Sequence, residues 1–384
     1  MKTKTKRILF AVCLMSIICC MASEINANQY TRLIETNTAI PDRNFIKVAL
    51  LLDTSNSMDG LIDQAKAQLW EIVNELSYAK CGTEKPHLQI ALYEYGNDNL
   101  NGREGYIRQV LSFSDDLDEI SKELFSLTTN GGNEYCGQVI QTSLNQLQWD
   151  GNDNDLKMIF IAGNEPFSQG KISYKDAAEQ AHNKDVSVNT IFCGDYNQGV
   201  ASYWKDGADL TNGNYMAINH NQATTYIASP YDDDILNLNQ KLNSTYLAYG
   251  SVGKQKIALQ AEQDSNAKKY SEANAVSRTV SKSSHLYKNS TWDLVDAADD
   301  EDFEILNLKD EDLPEKLKGK SSSEIKKYID EMRIKREKIQ NDIKSLNEKR
   351  RIFISKNKSE KSERLDNALI TAIKTQAKRK NYNW

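Results

Sequence analysis

The sequence VALLLDTSNS (residues 48–57) joins an apolar run to a short polar segment, and this junction decides the fold. The run Val48–Leu52 is apolar at every position, which is typical of a strand that is covered on both faces. A carboxylate and two hydroxyl groups, from Asp53, Ser55 and Ser57, follow within a single turn. Oxygen ligands of this kind are the ones that hard cations such as Mg²⁺ prefer. The junction therefore predicts a buried strand that ends at a candidate cation site.

Short β-rich runs alternate with helical patterns over residues 45–250. The candidate strands are Lys47–Leu52, Leu88–Tyr95, Tyr106–Ser112, Lys157–Ala162, Val186–Cys193 and Tyr215–Ile218. In the helical stretch Leu61–Ala79, apolar residues recur at spacings of three and four. This alternation predicts an α/β fold with a doubly wound, mostly parallel sheet flanked by helices. Ligands of such sheets bind at the carboxyl ends of the strands, where DTSNS lies.

The chain has 384 residues, of which 39% are hydrophobic and 27% are charged. That length and composition support a sizeable core and exclude a disordered tail. We predict an N-terminal signal, an α/β domain over residues 45–250 and a charged helical domain over residues 254–384.

The predicted signal is Met1–Ala27. Basic residues at positions 2, 4, 6 and 7 precede the apolar run Ile8–Ala22, and small residues follow where a signal peptidase cuts. The run is short for a membrane span, and the rest of the sequence predicts none. We therefore expect an exported chain, either secreted or held in the periplasm or cell envelope. A lipid anchor at Cys19 or Cys20 is the alternative, but each follows a residue bulkier than that processing prefers.

The region after residue 254 is helical and strongly charged. From Glu315 to Trp384 there are roughly 21 basic and 10 acidic residues, so this part carries about +11 and the rest of the chain about −17 by simple counting. A heptad seam runs through it, with arginine at two core positions. The seam consists of Ile325, Ile329, Met332, Arg336, Ile339, Ile343, Leu346, Arg350 and Phe353. Two arrangements suit it: a coiled-coil-like hairpin with the helix around Leu365–Ile373 that packs on the first domain, or pairing with another chain.

DTSNS after the first strand, followed by an amphipathic helix, resembles the metal-ion-dependent adhesion site of the von Willebrand factor type A domain. The resemblance covers about half of the chain. It implies a bound Mg²⁺, Mn²⁺ or Ca²⁺ and a protein partner that offers a carboxylate to the ion. A helix N-cap is a simpler role for the serines, but it leaves Asp53 unexplained.

The sequence departs from the family pattern at two positions. Asn133, with Glu134 beside it, stands where the family has a threonine in the Gly-rich loop TTNGGNEYCG. Gly163 stands where the family has an aspartate after the fourth strand, and Asn164 and Glu165 follow it. The resemblance thus implies a variant, weakly binding metal site completed by Asn133, Glu134, Asn164 or Glu165, or else a degenerate one.

Three cysteines remain after the signal. Cys136 and Cys193 are both expected on the face that carries DTSNS, so they form the candidate disulfide of an exported protein, with three free thiols as the alternative. Cys81 is expected at the opposite end, after the first long helix. No histidine is placed by sequence to activate a cysteine nucleophile.

The interpretation from sequence is a non-enzymatic, cation-dependent protein-binding or scaffolding module of the bacterial cell envelope. NGGN lacks the spacing of a phosphate-binding loop, and export argues against nucleic acid as the partner of the basic region. An anionic envelope surface and the acidic first domain itself remain as its partners. Two alternative functions remain, a scaffold that acts through the C-terminal helices and a metal-dependent hydrolase that uses Asp53.

Overall fold

The computed structural model describes residues 44–221, 226–300, 303–357 and 365–384, and residues 44–384 form one compact unit. The predicted signal Met1–Ala27 lies outside the described residues. The strands are β1 (Phe45–Asp53), β2 (Lys80–Cys81), β3 (His87–Tyr95), β4 (Ile107–Ser114), β5 (Leu156–Gly163), β6 (Ser187–Cys193), β7 (Tyr215–Ile218) and β8 (Tyr382–Asn383). The helices are α1 (Asp59–Leu76), α2 (Leu117–Ser126), α3 (Cys136–Gln146), α4 (Tyr174–Asn183), α5 (Tyr196–Ala201), α6 (Trp204–Asp209), α7 (Asp232–Asn243), α8 (Gly250–Tyr270), α9 (Glu272–Lys282), α10 (Leu294–Ala297), α11 (Ser322–Asn357) and α12 (Leu365–Ala377).

The main sheet has the strand order β4-β3-β1-β5-β6-β7, and every neighbouring pair is parallel except β3 with β4. This confirms the predicted fold class and each of its candidate strands. β1 lies at the centre, with β3 on one side and β5 on the other. Its position explains the apolar run Val48–Leu52, because a central strand is covered on both faces until it ends at Asp53.

Two hydrophobic clusters cover the two faces of the sheet. Val48 and Leu52 of β1 contribute to one cluster, together with residues of α1, α2, α7 and α9. Ala49 and Leu51 contribute to the other, together with residues of α3, α4 and α6. The alternation of side chains along β1 thus supplies both cores from one strand.

The C-terminal helices, which were predicted as a domain over residues 254–384, belong to the same compact unit as the sheet. The predicted boundary near residue 250 falls at the first turn of α8. α9 and α12 both pack on α1, and α12 also contacts β5 and β7. The sheet face that α1 covers only in part is therefore completed by helices from the end of the chain.

The heptad seam is buried within the chain, but not in the predicted hairpin. Its partners differ from the predicted hairpin, because α11 packs mainly on α7, α9 and α10, while α12 lies against α1 and the sheet. Ile329, Ile339 and Ile343 are buried along this seam. The sequence period identified the buried face correctly but could not identify what covers it.

The two arginines of the seam form buried ion pairs with the acidic part of the chain. Arg336 Nη1 lies 2.6 Å from Asp293 Oδ2 and 2.7 Å from Asp296 Oδ1. Arg350 Nε lies 3.0 Å from Asp232 Oδ1. The charge asymmetry of the sequence is thus resolved inside the molecule, since the basic end pairs with the acidic remainder.

A second buried network joins α2, α8 and α9. Arg278 is wholly buried between Asp118 and Asp264, at 2.7 and 2.6 Å, and lies over the Trp70 ring. Lys282 lies 3.0 Å from the same Asp264. The two cations hold the pKa of Asp264 below its ordinary value despite its burial. The ion pairs join α9 to α2 and α8, and the Trp70 contact places α9 against α1.

The sequence analysis missed one pair of strands, β2 and β8, which form a short antiparallel ribbon. Strands of two residues carry no periodic signal, so pattern analysis could not detect them. In the described part of the chain, no helix is both long and apolar enough to cross a membrane.

Replacing Arg336 with methionine should lower the free energy of unfolding by about 3–5 kcal/mol, because it leaves the buried Asp293 carboxylate without its counter-charge. Arg333, three residues earlier, pairs with the half-exposed Asp299 and provides the matched control. Arg333→Met should cost at most about 1 kcal/mol. Urea unfolding measures both values, and equal losses would contradict a structural role for the buried pair.

Candidate functional site

Asp53 is the last residue of β1 and is wholly buried. Its Oδ1 accepts a hydrogen bond from the Ser55 backbone N–H at 2.7 Å, which folds the chain back over the end of the strand. Its Oδ2 is buried and has no hydrogen-bond partner. A buried carboxylate oxygen without a donor is costly unless a proton or a cation occupies the space beside it.

The serines of the turn do not cap the helix that follows. Neither Ser55, before the short 3₁₀ turn, nor Met58, before α1, makes a side-chain capping hydrogen bond. Instead the Oγ atoms of Ser55 and Ser57 lie 3.4 Å apart, and the Asn164 Nδ2 donates to Ser57 Oγ at 3.1 Å. Asn164 Oδ1 is buried and has no partner. The hydroxyl groups and this amide oxygen therefore gather at one place.

Glu134 is the second buried carboxylate of the site. It comes from the Gly-rich loop, where Gly132 lies so close to the β3 end that a Cβ there would be 2.2 Å from the Gly96 carbonyl oxygen. A Cβ on Gly96 would in turn lie 2.8 Å from Glu134 Cγ and 2.9 Å from Asp53 Oδ1. The two glycines thus allow the loop to reach inward and place Glu134 next to Asp53.

The environment of the two carboxylates strongly disfavours two negative charges. Burial raises the pKa of Asp53 well above its ordinary value, and the neighbouring Glu134 raises it further. Burial also raises the pKa of Glu134, whose Oε2 has no hydrogen-bond partner. Neither carboxylate forms an ion pair with a lysine or arginine in the residues that the structure covers. The pair must share a proton or hold a cation.

Gly163 ends β5 next to Asp53, where a residue with a side chain would not fit. A Cβ at this position would lie 2.5 Å from the Tyr95 hydroxyl and 3.1 Å from Asp53 Oδ2. The Tyr95 hydroxyl donates to the Ala162 carbonyl at 3.0 Å and is buried there. Tyr95 therefore occupies the space in which the family pattern has an aspartate side chain.

The remaining predicted site residues lie further out. Asn133 and Glu165 are exposed, whereas their neighbours Glu134 and Asn164 turn inward. Glu165 contributes its backbone carbonyl, which accepts from Trp204 Nε1 at 2.8 Å. Its negative charge also raises the pKa of Glu134, although burial has the larger effect.

Cys136 and Cys193 are free thiols, so the candidate disulfide is not formed. Their side chains belong to the hydrophobic clusters on opposite faces of the sheet, Cys136 with α3 and Cys193 with α1. Both thiols are buried, and burial raises the pKa of each well above its ordinary value. A thiol in this state is a poor nucleophile.

The donor set fits a small, hard cation. Asp53 Oδ2, Glu134 Oε2 and Asn164 Oδ1 are orphaned, and the two serine hydroxyls lie beside them. All of these donors are oxygen atoms, as Mg²⁺, Mn²⁺ and Ca²⁺ require. Among the described residues, no group of three or more His, Cys, Asp or Glu side chains could hold a metal. The neutral oxygens would therefore have to provide much of the coordination.

Sequence analysis did not identify Tyr95 as part of the site. It also did not show that Gly96 leaves the space in which Glu134 and Asp53 meet. The available signal was the register of the sheet, in which Asp53 lies opposite Tyr95 on the neighbouring strand. His220 was missed as well: its Nδ1 is buried near the start of α1 without a partner, and burial lowers its pKa.

A mostly parallel sheet flanked by helices, with oxygen ligands at the end of its central strand, defines a class of protein domain. The family profile described as "von Willebrand factor type A domain" matches residues 47–238, half of the chain, so the chain belongs to this family. Family members often bind a divalent metal at the end of the first strand and mediate protein interactions.

Solved structures with distant similarity each cover a little under half of the chain. BatB from Bacteroides thetaiotaomicron is 15% identical, with 45% of this chain and 90% of that chain covered and a TM-score of 0.35. The SpRpn10 VWA domain is 15% identical over 45% and 87%, with a TM-score of 0.34. Proximal thread matrix protein 1 from the mussel byssus, with a zinc-occupied MIDAS motif, is 13% identical over 47% and 43%, with a TM-score of 0.35. Comparison with curated proteins gave no match.

Asp53→Asn should stabilise the metal-free protein at pH 8 by about 1–3 kcal/mol, because it removes a charge from a buried pair. In the wild type the raised pKa of Asp53 means that the folded protein holds a proton that the unfolded chain releases. Stability therefore falls as the pH rises from about 4 through the raised pKa. Urea unfolding with a chelator at pH 5 and pH 8 measures this difference. Asp63→Asn, at an exposed position of α1, is the control, and the same pH dependence in both variants would contradict the explanation.

Gly163→Asp should lower the free energy of unfolding by about 1–3 kcal/mol, because the new Cβ meets the Tyr95 hydroxyl. Combining it with Tyr95→Phe should recover part of this loss, relative to Tyr95→Phe alone. Thermal and urea unfolding of the three variants test the coupling. Purely additive losses would show that Tyr95 does not exclude an aspartate from this position.

Proposed function

We propose that the protein is a cation-dependent protein-binding and scaffolding module of the bacterial cell envelope. One observation carries this proposal: Asp53 and Glu134 are buried side by side, and each has an oxygen without a partner. A divalent cation between them would offset the cost of burying two carboxylates, which the protein's own side chains do not offset.

The ion would be held by Asp53 and Glu134, with Ser55, Ser57 and Asn164 as neutral ligands. The oxygen donors favour Mg²⁺ or Mn²⁺, with Ca²⁺ as a further candidate. When bound, such an ion supplies a Lewis-acidic position that an outside carboxylate can fill. The protein's residues would set which carboxylates reach it, since Ser57 is exposed at the edge of the site and Asp53 lies beneath it.

The surface beside this site supports a protein partner. Tyr196 and Tyr203 are about half exposed, at 52% and 50%, on the segments that follow β6. Trp204, between them and the sheet, is wholly buried and packs against Phe167 and Phe192. The exposed tyrosines thus offer contact area of the kind enriched at interfaces, while the tryptophan holds their segment in place.

Binding rather than catalysis is the better proposal for this site. A hydrolase would need a general base held beside the attacking water. His220 lies near Ser57, but in the described residues its Nδ1 has no hydrogen-bond partner, so no carboxylate orients the ring as a base. A scaffold that acts through the C-terminal helices is also less favoured, because the seam of α11 is buried against α7, α9 and α10. The envelope location rests on the predicted signal Met1–Ala27.

Isothermal titration calorimetry with Mg²⁺ and Mn²⁺ tests the proposal on the full mature chain. We expect saturable binding that is weakened at least about tenfold by Asp53→Ala and by Glu134→Gln, since each removes a charged ligand. Glu165→Gln is the matched control, because it removes an exposed carboxylate from the same rim and should change the affinity less. Absence of binding, or equal affinity in the wild type and Asp53→Ala, would overturn the proposal.

A further inference from the structure

A pocket lies at the opposite end of α1 from DTSNS. It is a partly enclosed cavity of about 240 Å³ between the C-terminal ends of α1 and α9 and one side of α11. The residues that line it include Tyr78, Lys80, Lys85, Ser284, His285 and Lys344. Segments more than 260 residues apart in sequence contribute to it, so the fold itself creates the pocket.

The pocket concentrates positive charge without any acidic residue in its lining. Lys80 lies on β2, Lys85 precedes β3, and Lys344 lies on α11. In the parts of the chain that the structure describes, the side chains of these three lysines have neither an ion-pair nor a hydrogen-bond partner. This contrasts with the other face of α11, where Arg336 and Arg350 each pair with aspartate.

The charges in the pocket repel one another. Burial lowers the pKa of Lys344, and the nearby Lys85 lowers it further. Burial also lowers the pKa of His285 to about 4, and the charges of Lys85, His87 and Lys344 act in the same direction. The end of α1 and the end of α9 explain why cations gather here, because helix carbonyl ends attract them. Lys80, Lys85 and Lys344 are exposed, so water solvates their ammonium groups until an anion enters the pocket.

We propose that this pocket binds a phosphate or phosphomonoester group. A tetrahedral oxyanion accepts hydrogen bonds from several directions, and lysines on three different elements surround the cavity. The volume suits a small ligand, since pockets for drug-sized molecules are about 300–1,000 Å³. Ser284 adds a hydroxyl group to the lining, whereas the Ser283 hydroxyl already donates to the Val280 carbonyl at 2.7 Å and Asn347 Nδ2 to the Tyr78 hydroxyl at 3.3 Å.

Binding of inorganic phosphate to the full mature chain, measured by NMR titration in the presence of a chelator, tests the proposal independently of the metal site. Phosphate should raise the pKa of His285 from about 4, because the anion offsets the repulsion from Lys85, His87 and Lys344. Lys85→Gln and Lys344→Gln should each weaken phosphate binding about tenfold.

Lys326→Gln is the matched control, because Lys326 is exposed on the same face of α11 about 27 Å away and should leave the affinity unchanged. Circular dichroism checks that each variant is folded. A parallel arm uses vesicles of phosphatidylcholine with and without phosphatidic acid. Binding to vesicles alone, lost in the two lysine variants, would assign the phosphate to a lipid headgroup. Absence of both interactions, or phosphate binding that Lys85→Gln and Lys344→Gln leave intact, would overturn the proposal.

Discussion

The constraint that shapes the end of the sheet is a carboxylate buried at the end of its central strand. β1 supplies side chains to both hydrophobic clusters, so its end is enclosed by the structure that the strand itself organises. Asp53 stands at that point, and the Gly-rich loop brings Glu134 beside it rather than a compensating cation. The loop, the end of β3 and the end of β5 are all shaped around this pair. Close approach at Gly96, Gly132 and Gly163 shows how little free space remains.

Buried charges also position the helices of the C-terminal half, but there each buried arginine has an acidic partner. Arg278, Arg336 and Arg350 are buried and each meets aspartate at hydrogen-bond distance. Buried pairs of this kind add little net stability over apolar packing, but removing one partner is costly. They therefore act mainly on specificity, because α9 and α11 could slide along an apolar groove but not past these fixed partners. The protein thus contains matched buried charges in its helices and an unmatched acidic pair at its site.

The sheet was predictable from sequence because buried strands and amphipathic helices carry strong periodic signals. Asp53, Ser55 and Ser57 were also identifiable, since they interrupt an apolar strand in one turn. The inward position of Glu134 was not, because it depends on how closely two glycine-containing segments approach. The absence of an aspartate at position 163 was visible in the sequence, whereas its cause, the Tyr95 hydroxyl, arises from the pairing of separate strands. The partners of α11 likewise depend on tertiary packing, which a heptad pattern does not specify.

The ribbon of β2 with β8 fixes the position of the C-terminal residues relative to the candidate site. It brings the end of the chain to the amino ends of the strands, where the Tyr382 hydroxyl donates to the Phe45 carbonyl at 3.3 Å. Phe45 begins the central strand, and the acidic pair lies at the far end of that strand, about 26 Å away along its nine residues. Residues 44 and 384 therefore lie at the same end of the sheet. A probe or surface linkage introduced at residue 384 would therefore sit at the opposite end of β1 from Asp53.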